Sequence, residues 1–457
     1  MQQVAQTYHG HSRAIWKLGM PLILSNLAQF AIYITDTVML GWYDVTALAA
    51  STIAGTVFFT IFIVGAGFSQ AVTPLVAAAV EENDNTQVRR VTRMGLWLSI
   101  IYALVVTVPF FWAEDILIAM GQDMAVADLA HIYLQIVIWQ MVPALIVMTL
   151  KAFLAAMEHT AIILWATIGT AVMNGFVNYA LIFGNWGAPE MGIRGAAMAS
   201  FAVTLVTVAI LVIYVLWVLP QFQLFKNFWR SDSAVMKRVY RLGWPIGLTS
   251  LAESGLFSAS AVMMGWIGPL ALAAHGVAIQ LVSLTFMVHI GFSQAATVRA
   301  GRALGRRDEL SLRRGGITAI GMSAVYALMT SAVFLAMPET LIGLFIDPDE
   351  TARAALLRLG ASFLMVGALF QLVDGLQVLA LGLLRGVQDT TVPMVMATIS
   401  YWVIGLPVSY FLAFTVGLGG VGLWLGLVIG LAIAAVMLLT RFWGRSVKIT
   451  PRNALIQ

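Results

Sequence analysis

Long apolar runs separated by short polar connections recur along almost the whole chain. A helix needs roughly 20 apolar residues to cross the hydrocarbon core of a bilayer. Twelve segments meet that length: 15–41, 47–75, 94–112, 129–153, 160–183, 192–218, 239–266, 271–298, 317–338, 353–384, 391–416 and 419–441. The pattern predicts an all-α polytopic membrane protein with twelve transmembrane helices.

The apolar pattern is also written twice. At an offset of 224 residues, Leu18-Gly19 and Pro21 fall on Leu242-Gly243 and Pro245. Gly41-Trp42 falls on Gly265-Trp266, and Gly67-Phe68-Ser69-Gln70-Ala71 falls on Gly291-Phe292-Ser293-Gln294-Ala295. Asp84 meets Asp308, Arg89-Arg90 meets Arg313-Arg314, and Pro143 meets Gly367. Six spans per half is an even number, so both halves enter from the same side as parallel six-helix repeats, an arrangement secondary transporters use to build a central site. The expected division is an N-terminal lobe at 1–219, a linker at 220–237 and a C-terminal lobe at 238–457. The repeat-related Pro21 and Pro245 each remove a backbone hydrogen bond and permit bending.

Composition agrees with a lipid-facing surface. Of 457 residues, 60% are hydrophobic and 10% charged, against roughly 25% charged in a soluble domain. No cysteine is present, which excludes disulfides, thiolate catalysis and cysteine-ligated metals. Met1–Ser12 lacks the charged start, short apolar run and cleavage site of a removable signal peptide, so the first apolar segment is expected to stay as a helix.

With both termini on one side, that side collects all but Arg194, Arg353 and Arg358 of the 25 Lys and Arg residues. The basic side is expected to be cytoplasmic, which places the chain in a bacterial inner (cytoplasmic) membrane with both termini inside. Positive-inside topology accounts for the loop Arg299–Arg314 better than a nucleic-acid patch does, so nucleic acid is not an expected partner.

Three carboxylates lie inside predicted spans: Asp36, Glu253 and Asp374. An ionised acid at mid-membrane costs about 3 kcal/mol even on the lenient insertion scale, so such residues point to function. Asn26, Gln29, Tyr33 and Asp36 recur at helical spacing in the first span. Asn174 and Asn178 share a face of the fifth, Ser250, Glu253 and Phe257 cluster in the seventh, and Gln371 and Asp374 are i,i+3 in the tenth. Carboxylate and amide oxygens suit a hard monovalent cation or a proton. The repeat does not duplicate the acids, because Asp36 aligns with Ser260 and Glu253 with Gln29. Two unequal polar pockets, one per half, are therefore expected.

Other motifs carry less. Gly417, Gly419, Gly420 and Gly422 lack the βαβ context of a dinucleotide loop, so close helix packing or a turn is expected there. His275 and His289 read as interhelical histidines. No Walker A sequence, Gly-x-Ser-x-Gly elbow or His-Glu-x-x-His motif occurs. No nucleophile–base cluster marks an enzyme, and the short loops do not suit a receptor or scaffold.

Several segments together resemble the multidrug and toxic compound extrusion (MATE) family, NorM-type branch, over essentially the whole chain. They are Thr35–Met39 (TDTVM), Asn174–Tyr179 (NGFVNY), Glu253, Phe370–Thr390 (FQLVDGLQVLALGLLRGVQDT), Tyr401-Trp402 and Gly405-Leu406-Pro407. The resemblance implies two six-helix lobes forming a V-shaped bundle. It also implies export of organic cations and other small amphipathic drugs against inward Na⁺ or H⁺. By position, Asp36, Asn174 and Asn178 match an N-terminal-lobe cation and drug pocket, and Glu253 and Asp374 match a C-terminal-lobe site able to take Na⁺. The chain departs from relatives at Phe370, where many have Tyr, at Asn178, where other branches have Asp, and near Ala197, where they have Thr.

The leading expectation is a multidrug efflux antiporter working by alternating access, without a resident cofactor and functional as a monomer. The drug pocket would be lined by Gln29, Tyr33, Ser250, Phe257, Gln280, Phe370, Gln371 and Tyr401. The alternative is a lipid-linked precursor flippase of the same superfamily, which would need a larger and more basic cavity than these spans suggest.

Overall fold

A computed structural model describes residues 7–119 and 124–449; Asp123 and Arg452 lie outside them. Among the described residues the regular structure is entirely helical. Twelve helices are long and apolar enough to span a membrane. In chain order they are α1 Tyr8–Tyr43, α2 Val45–Glu81, α3 Asn85–Thr107, α4 Met124–Ala156, α5 Thr160–Phe183, α6 Ile193–Val218, α7 Ser233–Ile267, α8 Pro269–Gly305, α9 Glu309–Ala336, α10 Arg353–Gly386, α11 Thr391–Thr415 and α12 Gly419–Arg441. Each falls on one of the twelve apolar segments. Short helices at Ala113–Ala119 and Pro338–Gly343 follow α3 and α9.

The helices form two compact units. One is Leu24–Gly247; the other joins the segment ending at Ile23 to the chain from Leu248 onward. The chain therefore changes unit inside α1 and α7, in each case two residues after the repeat-related Pro21 or Pro245. Residues 220–237, read from the sequence as a linker, lie within the first unit. There Arg93 donates to the Asn227 carbonyl (2.9 Å), Trp97 donates to the Phe228 carbonyl (3.0 Å), and Arg90 pairs with Asp232.

The repeat reappears as matched local structure. The α2–α3 turn places Asn83 at φ 57° and caps α3 with Asp84, which accepts from the Gln87 N–H (2.8 Å). The α8–α9 turn does the same with Arg307 at φ 55° and Asp308, which accepts from the Ser311 N–H (2.9 Å). Such caps satisfy amides that a helix start leaves unpaired. Ser69 joins Ser99 (3.2 Å) and Thr149 (2.9 Å), tying α2, α3 and α4 together. Its repeat partner Ser293 donates to the Val378 carbonyl (2.7 Å), tying α8 to α10.

Where helices cross, glycine lets backbones touch, as is usual in membrane bundles. A Cβ on Gly67 would lie 2.5 Å from the Gly243 carbonyl oxygen, inside the first unit. In the second, a Cβ on the repeat-related Gly291 would lie 2.9 Å from the Ile23 nitrogen. The glycine cluster before α12 serves both expected ends. Gly417 and Gly419 turn the chain at φ 84° and 56°, and Gly422 packs against the Leu412 carbonyl. At the close of α10, Asp389 accepts two bonds from Arg441 (2.7 and 2.9 Å) and one from Ser446 (2.6 Å), clasping α12.

Two tests follow from this packing. Gly67→Ala is expected to lower stability by about 1–3 kcal/mol through overpacking, read as a lower Tm of the detergent-solubilised protein. Gly276→Ala, with nothing within 4 Å of the added Cβ, should leave Tm unchanged; equal losses in both would refute the close crossing. The second test concerns Asp232, whose hydrogen bond from Arg90 holds its pKa below the ordinary 3.8. Its contribution is complete above that value and is lost as pH falls through the lower, folded value. At pH 7, where that contribution is complete, Asp232→Asn should be cut by chymotrypsin at Phe228 several-fold faster than the wild-type protein.

Candidate functional site

Asp36 sits on α1 within the unit Leu24–Gly247, and among the described residues its hydrogen-bond partners are neutral groups. Its Oδ1 accepts from the Asn178 side-chain amide at 2.5 Å, and its Oδ2 from the Ser200 hydroxyl at 3.5 Å. The same Asn178 amide donates to Asn174 Oδ1 at 3.2 Å. Both asparagines are buried, one turn apart on α5. The Asn178 Oδ1 is itself buried without a hydrogen-bond partner among the described residues. The arrangement is a carboxylate held by dipoles, with an amide oxygen left over beside it.

Ser200 was not legible as a member. The sequence draws attention to Ala197, where a hydroxyl is missing relative to other branches, and Ala197 is fully buried. Ser200, about one turn further along α6, supplies a hydroxyl instead. The polar stripe on α5 also continues beyond the asparagines through buried Thr170 and Thr167. Thr167 meets Ser25 of α1 at 2.9 Å and the Lys151 ammonium of α4 at 3.1 Å. Lys151 was counted with the basic end of the molecule, yet its ammonium turns inward to this stripe.

The second unit holds a denser cluster. Glu253 on α7, Asp374 and Arg385 on α10, and Tyr401 on α11 all lie within electrostatic reach of one or more of the others. Asp374, Gln377 and Tyr401 are 2% exposed or less. Gln377 donates to the Tyr401 hydroxyl at 2.5 Å. Glu253 Oε1, Asp374 Oδ1 and Gln377 Oε1 are buried and lack hydrogen-bond partners among the described residues. Arg385, read from the sequence only as part of the basic end, also lies within electrostatic reach of Glu253. It stands eleven residues, three helical turns, beyond Asp374 on the same stripe of α10, and that spacing was the signal available.

The residues expected to line a drug pocket separate into groups. Gln29 and Tyr33 are exposed, whereas Ser250, Phe257 and Gln280 are half-buried. Phe370, Gln371 and Tyr401 are fully buried. Phe370 packs on Phe257 and Trp424 with ring centres 6.0 and 5.8 Å apart. Gln371 donates to the Val282 carbonyl (3.2 Å) and to Thr285. His289 bonds Ser323 across helices at 2.7 Å and His275 packs edge-on against Trp424, as interhelical histidines do. In the first unit a groove of about 480 Å³ between α1 and α5 is lined by Thr35, Met39, Phe176, Tyr179 and Trp186, among others. Among the described residues no group of three or more His, Asp or Glu could hold a metal ion.

Comparison with known proteins agrees with this architecture. The MatE family model matches residues 21–180 and 245–411. A "Probable multidrug resistance protein NorM" of Rhizobium meliloti is 44% identical over 446 residues, covering 97% of this chain and 95% of the relative. One of the same name from Agrobacterium fabrum is 43% identical over 438 residues, covering 95% and 94%. Among solved structures, an outward-facing multidrug resistance MATE family transporter of the MOP superfamily superposes with a TM-score of 0.88 at 19% identity, over 96% of this chain and 97% of that one. The eukaryotic MATE transporter AtDTX14 superposes with a TM-score of 0.85 at 19% identity, over 96% and 98%. Twelve apolar helices, a full-length match to NorM relatives and the shared fold make this a multi-pass membrane protein that belongs to the MATE family.

Proposed function

We propose that this multidrug efflux transporter is a secondary antiporter that exports small organic cations and amphipathic drugs in exchange for inward Na⁺ or H⁺. The observation that carries the reading is the set of acids inside the spans: among the described residues, Asp36 is bonded by neutral groups, and Glu253 and Asp374 each have a buried oxygen lacking a partner. An oxygen removed from water without a donor is destabilising unless a cation or proton arrives.

In this reading the basic end faces the cytoplasm of a bacterial inner membrane, and access to the drug site alternates between the two faces. Asp36, with Asn174 and Asn178, takes a cation or a drug ammonium in the first unit. Glu253 and Asp374 take Na⁺ or H⁺ in the second. Because Asn178 already donates to Asp36, a cation or proton arriving there competes for the same oxygen and frees that amide. One charge moving inward gains about 2.3 kcal/mol per 100 mV, enough for roughly a fiftyfold gradient of a neutral substrate. Exposed Gln29 and Tyr33, and half-buried Ser250, Phe257 and Gln280, are the side chains open to a bulky solute.

The test is dye efflux from everted vesicles or liposomes under a sodium gradient and a pH gradient imposed separately. Asp36→Asn and Asp374→Asn are each expected to cut gradient-driven efflux at least tenfold at unchanged protein levels. Wild-type efflux in both variants would sink the assignment.

A further inference from the structure

The π-helical turn Ile399–Gly405 of α11 carries two adjacent aromatic residues that bond in different directions. Such turns are rare and tend to mark functional positions. Tyr401 is fully buried, and its hydroxyl accepts from Gln377 of α10 at 2.5 Å. Trp402 donates its indole N–H to the Ala252 carbonyl at 3.0 Å. Ala252 immediately precedes Glu253. The Trp402 ring also lies against Gly255, where an added Cβ would come within 2.7 Å of it. Thus α7 is gripped one residue before and two residues after its acid.

With the Gln377 amide nitrogen turned to it, the Tyr401 hydroxyl is an acceptor. Because it accepts from Gln377, its own proton is left to donate. The ionisable groups facing it are Glu253, Asp374 and Arg385, and of these only the carboxylates can accept. Around it stand Glu253 Oε1, Asp374 Oδ1 and Gln377 Oε1, buried and without hydrogen-bond partners among the described residues. Carboxylate and amide oxygens gathered in this way suit one monovalent cation or a proton.

We propose that Gln377 and Tyr401 complete the C-terminal cation site as additional oxygen donors, and that Trp402 is the positioning residue through which occupancy of that site acts on α7. The inference rests on the antiport reading above. When the site is free, the Tyr401 proton serves a carboxylate. When a cation or proton occupies the carboxylate, the hydroxyl turns its lone pair to the site, and the π-turn passes the change to the adjacent Trp402 and so to the α7 backbone at Ala252.

The experiment uses the purified full chain in proteoliposomes, with ethidium as the transported probe. Initial rates are measured against Na⁺ at fixed pH and against pH at fixed Na⁺. Tyr401→Phe and Gln377→Leu should each raise the half-saturating concentration of the driving cation about tenfold, with ethidium Kd unchanged. Trp402→Phe should keep wild-type half-saturation and lower the maximal rate several-fold per ethidium-binding site, a normalisation that removes any loss of folded protein, which a merely structural role would show instead as fewer binding sites at an unchanged rate per site. Wild-type half-saturation in both Tyr401→Phe and Gln377→Leu overturns the proposal. So does a change in ethidium Kd at constant half-saturation, which would place Tyr401 in the drug pocket. An unchanged maximal rate in Trp402→Phe removes the positioning role. Asp374→Asn, run alongside, separates the two levels: if it still responds to the cation the antiport reading fails, and if only the other variants behave as wild type this inference alone fails.

Discussion

Setting an acid inside a membrane span is the constraint on which the rest of this structure depends. A carboxylate in a membrane span must be answered by groups from neighbouring helices, because its own helix has spent its backbone donors. Around Asp36 the answer is dipolar: two amides from α5 and a hydroxyl from α6. Around Glu253 and Asp374 it is partial, with a guanidinium and a phenol nearby and several oxygens unpartnered. Partial satisfaction is what a site that must bind and release a cation requires, since complete satisfaction would leave nothing for the ion to gain.

Such groups hold their positions only if the helices carrying them do. The apolar faces of these helices are as content with lipid as with each other, so association depends on close van der Waals packing and interhelical hydrogen bonds. The glycine crossings at Gly67 and Gly291, the serines at 69 and 293, and the Asp389–Arg441 clasp supply these contacts within each unit.

Duplication explains the scaffold and stops at the chemistry. Turns, caps, prolines and packing glycines recur at the same offset because each solves a backbone problem common to both halves. The acids do not recur. Ser260, at the position equivalent to Asp36, turns back to its own helix at the Phe257 carbonyl (2.7 Å), and Gln29, equivalent to Glu253, is exposed. One half thus holds a lone acid among amides, and the other holds two acids opposed by an arginine.

Twelve spans, their repeat and the three acids inside them were all legible along the chain, because hydrophobic length, periodicity and charge in an apolar run are local properties. The i,i+4 pairing of Asn174 with Asn178 was legible for the same reason. Ser200, Gln377 and Arg385 were not singled out. A serine or glutamine in a helix is unremarked until another helix brings a carboxylate or hydroxyl to it, and a basic residue near a span end reads as topology. Nor could sequence show the π-turn at Tyr401, or that the chain changes unit inside α1 and α7. Local pattern therefore determined which segments are helices and which of them carry charge, whereas tertiary packing decided which polar atoms meet, because hydrogen bonds between helices depend on the rotation and depth of each helix, and no single helix specifies its neighbour's.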